Sequence, residues 1–171
     1  MEVSVGVSGK YVGDIFQTWM EFVQGTVFAL FKKCMEMNCN VTIIDNALIG
    51  AIRLKAQASD RLRMHFDLRN TEEDHSQRML NVMEPGTRHR IHRHLKSSET
   101  VVLLRGRMDE VFYDDQGNET ERIHLGGDSG VYGVNIPQGQ WHSIEVYEPT
   151  VIFEAKDGKW EEMKDDECFV K

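Results

Sequence analysis

GTRHRIHRHLKSSETVVLLRG, residues 86–106, decides how this chain folds. His92 and His94 stand two apart, Glu99 follows five residues later, and Gly86 and Gly106 bound the run. Successive side chains of a β-strand alternate faces, so histidines two apart point the same way and can meet one ion. Glu99, opening the next apolar stretch, brings a carboxylate to the same place. The same period puts Arg88 and Arg90 on the histidine face unless a bulge intervenes.

Downstream, the chain reads as β throughout. Strands are expected at 87–94, 100–105, 107–113, 119–125, 131–136, 141–146 and 150–155. The connections are short and carry turn residues, as in Asp114-Asp115-Gln116-Gly117-Asn118 and Pro137-Gln138-Gly139. Many short strands punctuated this way indicate an all-β sandwich or barrel. Upstream, Val41, Ile43 and Ile44 suggest a short strand. Asp45 is placed to cap a helix carrying Leu48, Ile49, Ile52 and Leu54 as far as about Ser59. Residues 61–68 alternate strictly, with Leu62, Met64, Phe66 and Leu68 on one face and Arg61, Arg63 and His65 on the other. That polar face either meets solvent or turns into a polar cavity, and sequence alone favours solvent. Residues 70–76 read as loop and 77–83 as strand.

Residues 1–40 do not match this pattern. Ile15, Trp19, Val23, Val27 and Phe31 recur every four residues, which predicts a helix beginning near Asp14 with Gly25 as its weak point. Such a helix could bind a partner. It could also pack on its own domain, or belong to an extension upstream of a start at Met37, and these plainer readings are preferred. The division expected is an N-terminal helical extension over 1–40, a β domain over 41–160 and an acidic tail over 161–171. That tail reads as solvated, with Trp160 as its one tether.

The 171 residues amount to one domain's worth of chain, with an apolar fraction of 40% and a charged fraction of 28%. A formal net charge of −8 argues against a nucleic-acid partner, which calls for a basic stripe. Gln17, Glu21 and Gln24 interrupt the apolar segment near 15–31, which argues against a membrane span. Cys34, Cys39 and Cys168 form no paired framework or Cys-x-x-Cys motif, and nothing resembles a signal peptide, so a reducing cytoplasmic setting is expected.

A lone His-x-His arises readily by chance in a chain with seven histidines. The combination is what carries weight here. Pro137-x-Gly139-x2-His142 sends a turn into a strand that opens with histidine, placing a third imidazole near the mouth of a barrel. His92, His94, Glu99 and His142 then suit one divalent transition ion, Fe, Mn, Ni, Co or Zn, and lack the thiolates of a structural zinc site. Octahedral coordination would leave two positions open, which implies chemistry more than scaffolding. Arg90, and Arg63 from the earlier strand, are candidates to hold an anionic substrate beside the ion; pairing with acids such as Glu84 is the plainer alternative. Trp141 reads as packing, and Glu145 and His124 as surface residues.

Gly86-x5-His92-x-His94-x4-Glu99-x6-Gly106 resembles the first cupin motif position for position, and Pro137-x-Gly139-x2-His142 resembles the centre of the second. Val146 stands where the second motif often ends in asparagine, and Gly130 precedes its usual place by one residue; neither departure touches a ligand. Beyond the motifs, IIDNALI, SDRLRMHFDLR, QRMLNVMEPGT, LLRGRMDEVFYDDQGNETERI, GVNIPQGQWHSI and FEAKDG together look like the WbuC family of small cupin metalloproteins, over roughly residues 42–158. Ile91 replaces the proline expected before the first ligand. The resemblance implies a mainly β protein, a single jelly-roll-like cupin barrel preceded by N-terminal helices, with one bound metal. It implies a link to bacterial O-antigen and surface-polysaccharide gene clusters, and barrels of this kind often pair as homodimers. It supplies no reaction.

Three functions stay open at this level. The first is a metal-dependent isomerase or epimerase acting on a small, polar, anionic sugar-type molecule. The second is an Fe(II)-dependent dioxygenase. The third is a non-catalytic sugar-binding or regulatory module, since a shared barrel does not fix function.

Overall fold

The computed structural model describes residues 41–162 and 164–169; the helix expected near residues 14–31 and the Met37 start lie outside them. One α-helix, α1 (Asn46–Gln57), is followed by eight strands: β1 (Arg63–Asp67), β2 (Ser76–Met83), β3 (Glu99–Arg105), β4 (Arg107–Tyr113), β5 (Glu119–Gly126), β6 (Gly133–Ile136), β7 (Trp141–Val146) and β8 (Thr150–Asp157). They form a five-stranded sheet ordered β1-β2-β8-β3-β6 and a three-stranded sheet ordered β5-β4-β7. Every pairing is antiparallel. The molecule is mainly β with a cupin-like, jelly-roll arrangement of two sheets.

Local signals place most of these elements. The Asp45 side chain accepts the Leu48 amide at 2.9 Å, satisfying one of the free donors at the start of α1. Gly106 joins β3 to β4 at φ +91°, and a Cβ there would come within 2.6 Å of the Pro149 carbonyl and the Thr150 hydroxyl. Only glycine fits that turn. Val41, Ile43 and Ile44 form no strand and are exposed, because no neighbouring strand among the described residues offers them a ladder.

The period-two pattern on β8 divides the interior. Val151 and Phe153 face outward, where they pack with Leu80, Val82, Met64 and Phe66 beneath Ile52 of α1. Ile152, Glu154 and Lys156 therefore face inward, in register with Asn81, Met79 and Gln77 of β2. One end of the interior is apolar, built from Met83, Val101, Met108, Phe112, Leu125, Ile136 and Ile152. The other end is polar.

This arrangement corrects the expectation for residues 61–68. Met64, Phe66 and Leu68 pack with α1 on the outside of the five-stranded sheet. The opposite face, with Arg63, His65 and Asp67, lines a cavity rather than open solvent. Glu84, considered as an arginine partner near the histidines, is instead held by Arg53 of α1 at 2.5 and 3.2 Å.

Candidate metal centre

Residues 87–94 were expected to form a strand and do not. Their sheet pairing is reduced to isolated bridges from His92 to His142 and to Cys168. The amide of His92 donates to the His142 carbonyl at 3.0 Å, and that of His142 returns a bond at 2.8 Å. Gly139 donates to the His94 carbonyl at 2.9 Å, so the Pro137–Gly139 turn and the histidine segment hold one another in place. Glu99 opens β3 and lies opposite Lys156 of β8 and Ile136 of β6.

His92, His94, Glu99 and His142 converge, each offering one ligand atom, and these four atoms all lie within 4.8 Å of one another. Oε2 of Glu99 is 2.7 Å from Nε2 of His94 and 3.6 Å from Nε2 of His142. The backbone fixes two of the ring orientations. Nδ1 of His92 donates to the Arg90 carbonyl at 3.2 Å, and Nδ1 of His142 to the Gln140 carbonyl at 3.0 Å. A carbonyl only accepts, so Nδ1 carries the proton and the Nε2 lone pair is left facing the cluster. This is the outer support a metal-ligating histidine needs.

Glu99 Oε2 and His142 Nε2 are buried and have no hydrogen-bond partner among the described residues. Two orphaned acceptors directed at one point cost free energy unless a cation meets both. A divalent ion bound by three imidazoles and one carboxylate answers that need, and the donor set fits it.

Electrostatics follow from the enclosure. Burial pushes His92 well below its ordinary pKa, which keeps its imidazole neutral. Burial alone would raise Glu99, but the imidazoles of His142 and His94 and the ammonium of Lys156 outweigh it and hold the carboxyl well below its usual range. Lys156 Nζ lies 2.8 Å from Glu154 Oε1, 3.4 Å from His94 Nε2 and 3.9 Å from Glu99 Oε2. Asn81 secures the other oxygen of Glu154 at 2.6 Å.

The cluster opens into a cavity of about 790 Å³, within the range of small-molecule sites. Glu99 and His92 form part of its wall, with Arg61, Arg63, Lys156 and Glu154. Of the two arginines singled out in the sequence, Arg63 lines this cavity. Arg90 is exposed and does not line it; its carbonyl, turned inward, accepts from His89 Nδ1 at 3.1 Å as well as from His92. His89 occupies the inward position, its ring centroid 4.8 Å from that of His92. Burial lowers its pKa to about 4. The period-two reading missed His89 because residues 87–91 form no strand.

Lys156 and Glu154 were also missed, although two charged residues in the inward register of an otherwise apolar strand are a signal. Glu110 carries the same kind of signal. It shares the inward face of β4 with Met108 and Phe112, is 1% exposed, and neither carboxyl oxygen has a partner among the described residues. Glu145 and His124 stand on the outer face of the three-stranded sheet. There Arg122 bonds Glu145 at 2.6 Å and buried Asp109 at 3.0 Å, and His124 meets Asp109 at 2.6 Å.

Residues 44–125 match a domain family described as a domain of unknown function, DUF6016. No curated protein is significantly similar to the chain. Among solved structures, the capsular polysaccharide assembling protein CapF from Staphylococcus aureus matches at 19% identity and a TM-score of 0.51, over 65% of this chain and 30% of CapF. CapF with the inhibitor 3-isopropenyl-tropolone matches at 21% identity and a TM-score of 0.50, over 65% of this chain and 32% of that one. A cupin-2 domain containing protein from Shewanella frigidimarina matches at 18% identity and a TM-score of 0.42, over 55% of this chain and 79% of that one. The chain thus spans about a third of the CapF chains it resembles. At these identities the likeness concerns the fold alone.

Proposed function

We infer that this protein is a mononuclear transition-metal cupin that acts on a small, polar, anionic sugar-type molecule, with isomerase- or epimerase-like chemistry. One observation carries the reading: the four-residue cluster, with its orphaned Glu99 and His142 atoms, opens into a cavity walled by Arg61, Arg63 and Lys156. The wall also carries Asp67, Glu72, Glu73 and Glu154, but Arg69, Lys156 and Lys159 pair with acids of that wall. Arg61 and Arg63 are left outside the ion pairs of the described residues and suit a substrate that brings negative charge to the metal's edge.

His92, His94, Glu99 and His142 would hold the ion. When bound, it supplies a Lewis acid that polarises a substrate carbonyl or hydroxyl. The chain's own residues do the rest. Arg63 and Lys156 hold the anionic end, and Arg90, exposed outside the cavity, is left to the rim. Glu154, fixed by Asn81 and Lys156, positions the lysine ammonium. The link to surface-polysaccharide metabolism rests on the resemblance to WbuC; CapF, named for capsular polysaccharide assembly, shares the fold.

The test is a screen of phosphorylated and nucleotide-activated sugars with metal-loaded protein under nitrogen and in air. Equal turnover in both supports the isomerase reading. Turnover that requires and consumes O₂ moves the site to the dioxygenase class. Saturable binding without turnover makes the protein a binding module.

A further inference from the structure

The histidine segment lacks a strand's usual support, yet it carries two of the four proposed ligands. Its pairing comes from two sides. The 137–142 turn and strand hold one edge through His142 and Gly139. The far end of the chain holds the other. Arg93 donates its amide to the Glu167 carbonyl at 3.0 Å, and Phe169 donates to the Ile91 carbonyl at 2.9 Å, so Cys168 forms a β-bridge directly with His92. The Glu167 side chain also accepts the Leu95 amide at 3.3 Å.

Side chains clamp the same crossing. The Arg93 guanidinium lies 4.2 Å from the Trp141 ring centroid and donates to the Asp166 carbonyl at 3.2 Å. Phe169 meets Trp141 edge-on at 5.6 Å. Gly117, at φ +79°, leaves the space that the Phe169 ring fills; a Cβ there would stand 2.6 Å from it. Trp141 immediately precedes the ligand His142, so the aromatic stack grips both ligand-bearing segments at once. The tail expected to be solvated is a strap, and its anchor is Phe169; Trp160 is 58% exposed.

We propose that residues 164–169 are a positioning element of the metal centre, holding His92 and His94 in coordinating geometry across an edge that no strand among the described residues covers. This rests on the metal reading above. Outer partners that orient ligands typically matter about 10- to 100-fold in metal affinity. The strap acts through the backbone of residues 91–95 rather than by contact with the ion, so its loss should alter geometry as well as affinity.

The experiment titrates Co²⁺ into metal-stripped wild type, Phe169→Ala, a chain ending at Met163, and Ile52→Ala, which destabilises the fold from the outer side of the five-stranded sheet. Dissociation constants, cobalt d–d spectra and melting temperatures are recorded for each. The expected result is Co²⁺ binding weakened at least about tenfold in Phe169→Ala and in the shortened chain, with a changed spectrum. Ile52→Ala should keep the wild-type spectrum despite a lower melting temperature. Wild-type uptake with unchanged affinity and spectrum in both strap variants overturns the strap proposal alone. So does a loss of affinity that follows melting temperature equally in Ile52→Ala. Failure of the wild type to take up cobalt overturns the metal reading and the strap proposal with it.

Discussion

The two ends of the barrel interior are built from the same strands and differ in what they bury. At the apolar end, Met108 and Leu125 are fully buried and packed with Met83, Val101 and Ile152. At the polar end the same alternation delivers Glu99, Glu154, Lys156 and His142. Two buried acids show the contrast most sharply. Glu99, facing two imidazoles and an ammonium, is held well below the usual carboxylate range. Glu110, set between Ile123 and Ile144 in register, is pushed well above it by burial and by the charges of Glu99 and Glu154. Burial alone therefore does not decide whether a carboxylate stays charged; the charged and polar groups that face it do.

The largest expected effect lies at the apolar end. Met108→Ala should cost about 2–5 kcal/mol of unfolding free energy, because the deleted side chain leaves a cavity that well-packed neighbours cannot fill. Urea denaturation measures it, and metal content should not change. If Met108→Ala removed metal as effectively as a ligand substitution, the division between the two ends would fail.

Glu110 gives the next effect, and its sign depends on pH. Its pKa in the folded chain is raised, so the native state binds more protons than the unfolded chain does. Its contribution to stability is full below about 4.3, the ordinary value for a glutamate, and is lost as pH rises through the folded pKa. Glu110→Leu removes this dependence and an unpartnered buried carboxyl. In metal-free protein the variant should gain on wild type as pH rises from 4 to 8, reaching about 1–3 kcal/mol. A gain that shrank with rising pH would show that Glu110 is charged and stabilised, like Glu99.

Two smaller changes lie outside both ends and calibrate them. Asp45→Ala removes the cap of α1 and should cost about 1 kcal/mol with no change in metal content. Lys96→Ala breaks the exposed pair with Glu161, and its denaturation midpoint should match wild type.

What was legible in the sequence follows the same contrast. The cluster could be read because His92, His94, Glu99 and His142 sit in motifs with fixed spacing, and the structure brings the four together. The α1 cap and the strand composition were local signals, and the structure contains both. Residues 61–68 showed their two faces clearly, but alternation does not say which face turns inward. The apolar face packs beneath α1, so the polar face was free to line the cavity. Residues 87–94 carried strand-like alternation yet lack a continuous partner strand among the described residues, and Arg90 turns its carbonyl rather than its side chain inward. The C-terminal strap had no local signature, because it is made by backbone bonds between residues more than seventy positions apart.

The central claim is that His92, His94, Glu99 and His142 hold one transition metal ion. Elemental analysis of purified wild type beside the His92→Ala/His94→Ala double substitution tests it most directly. The account predicts close to one metal per chain in the wild type and almost none in the double variant, with both folded by circular dichroism. Full stoichiometry in the double variant, or a wild type that takes up no metal from Mn, Fe, Co, Ni and Zn, would contradict it.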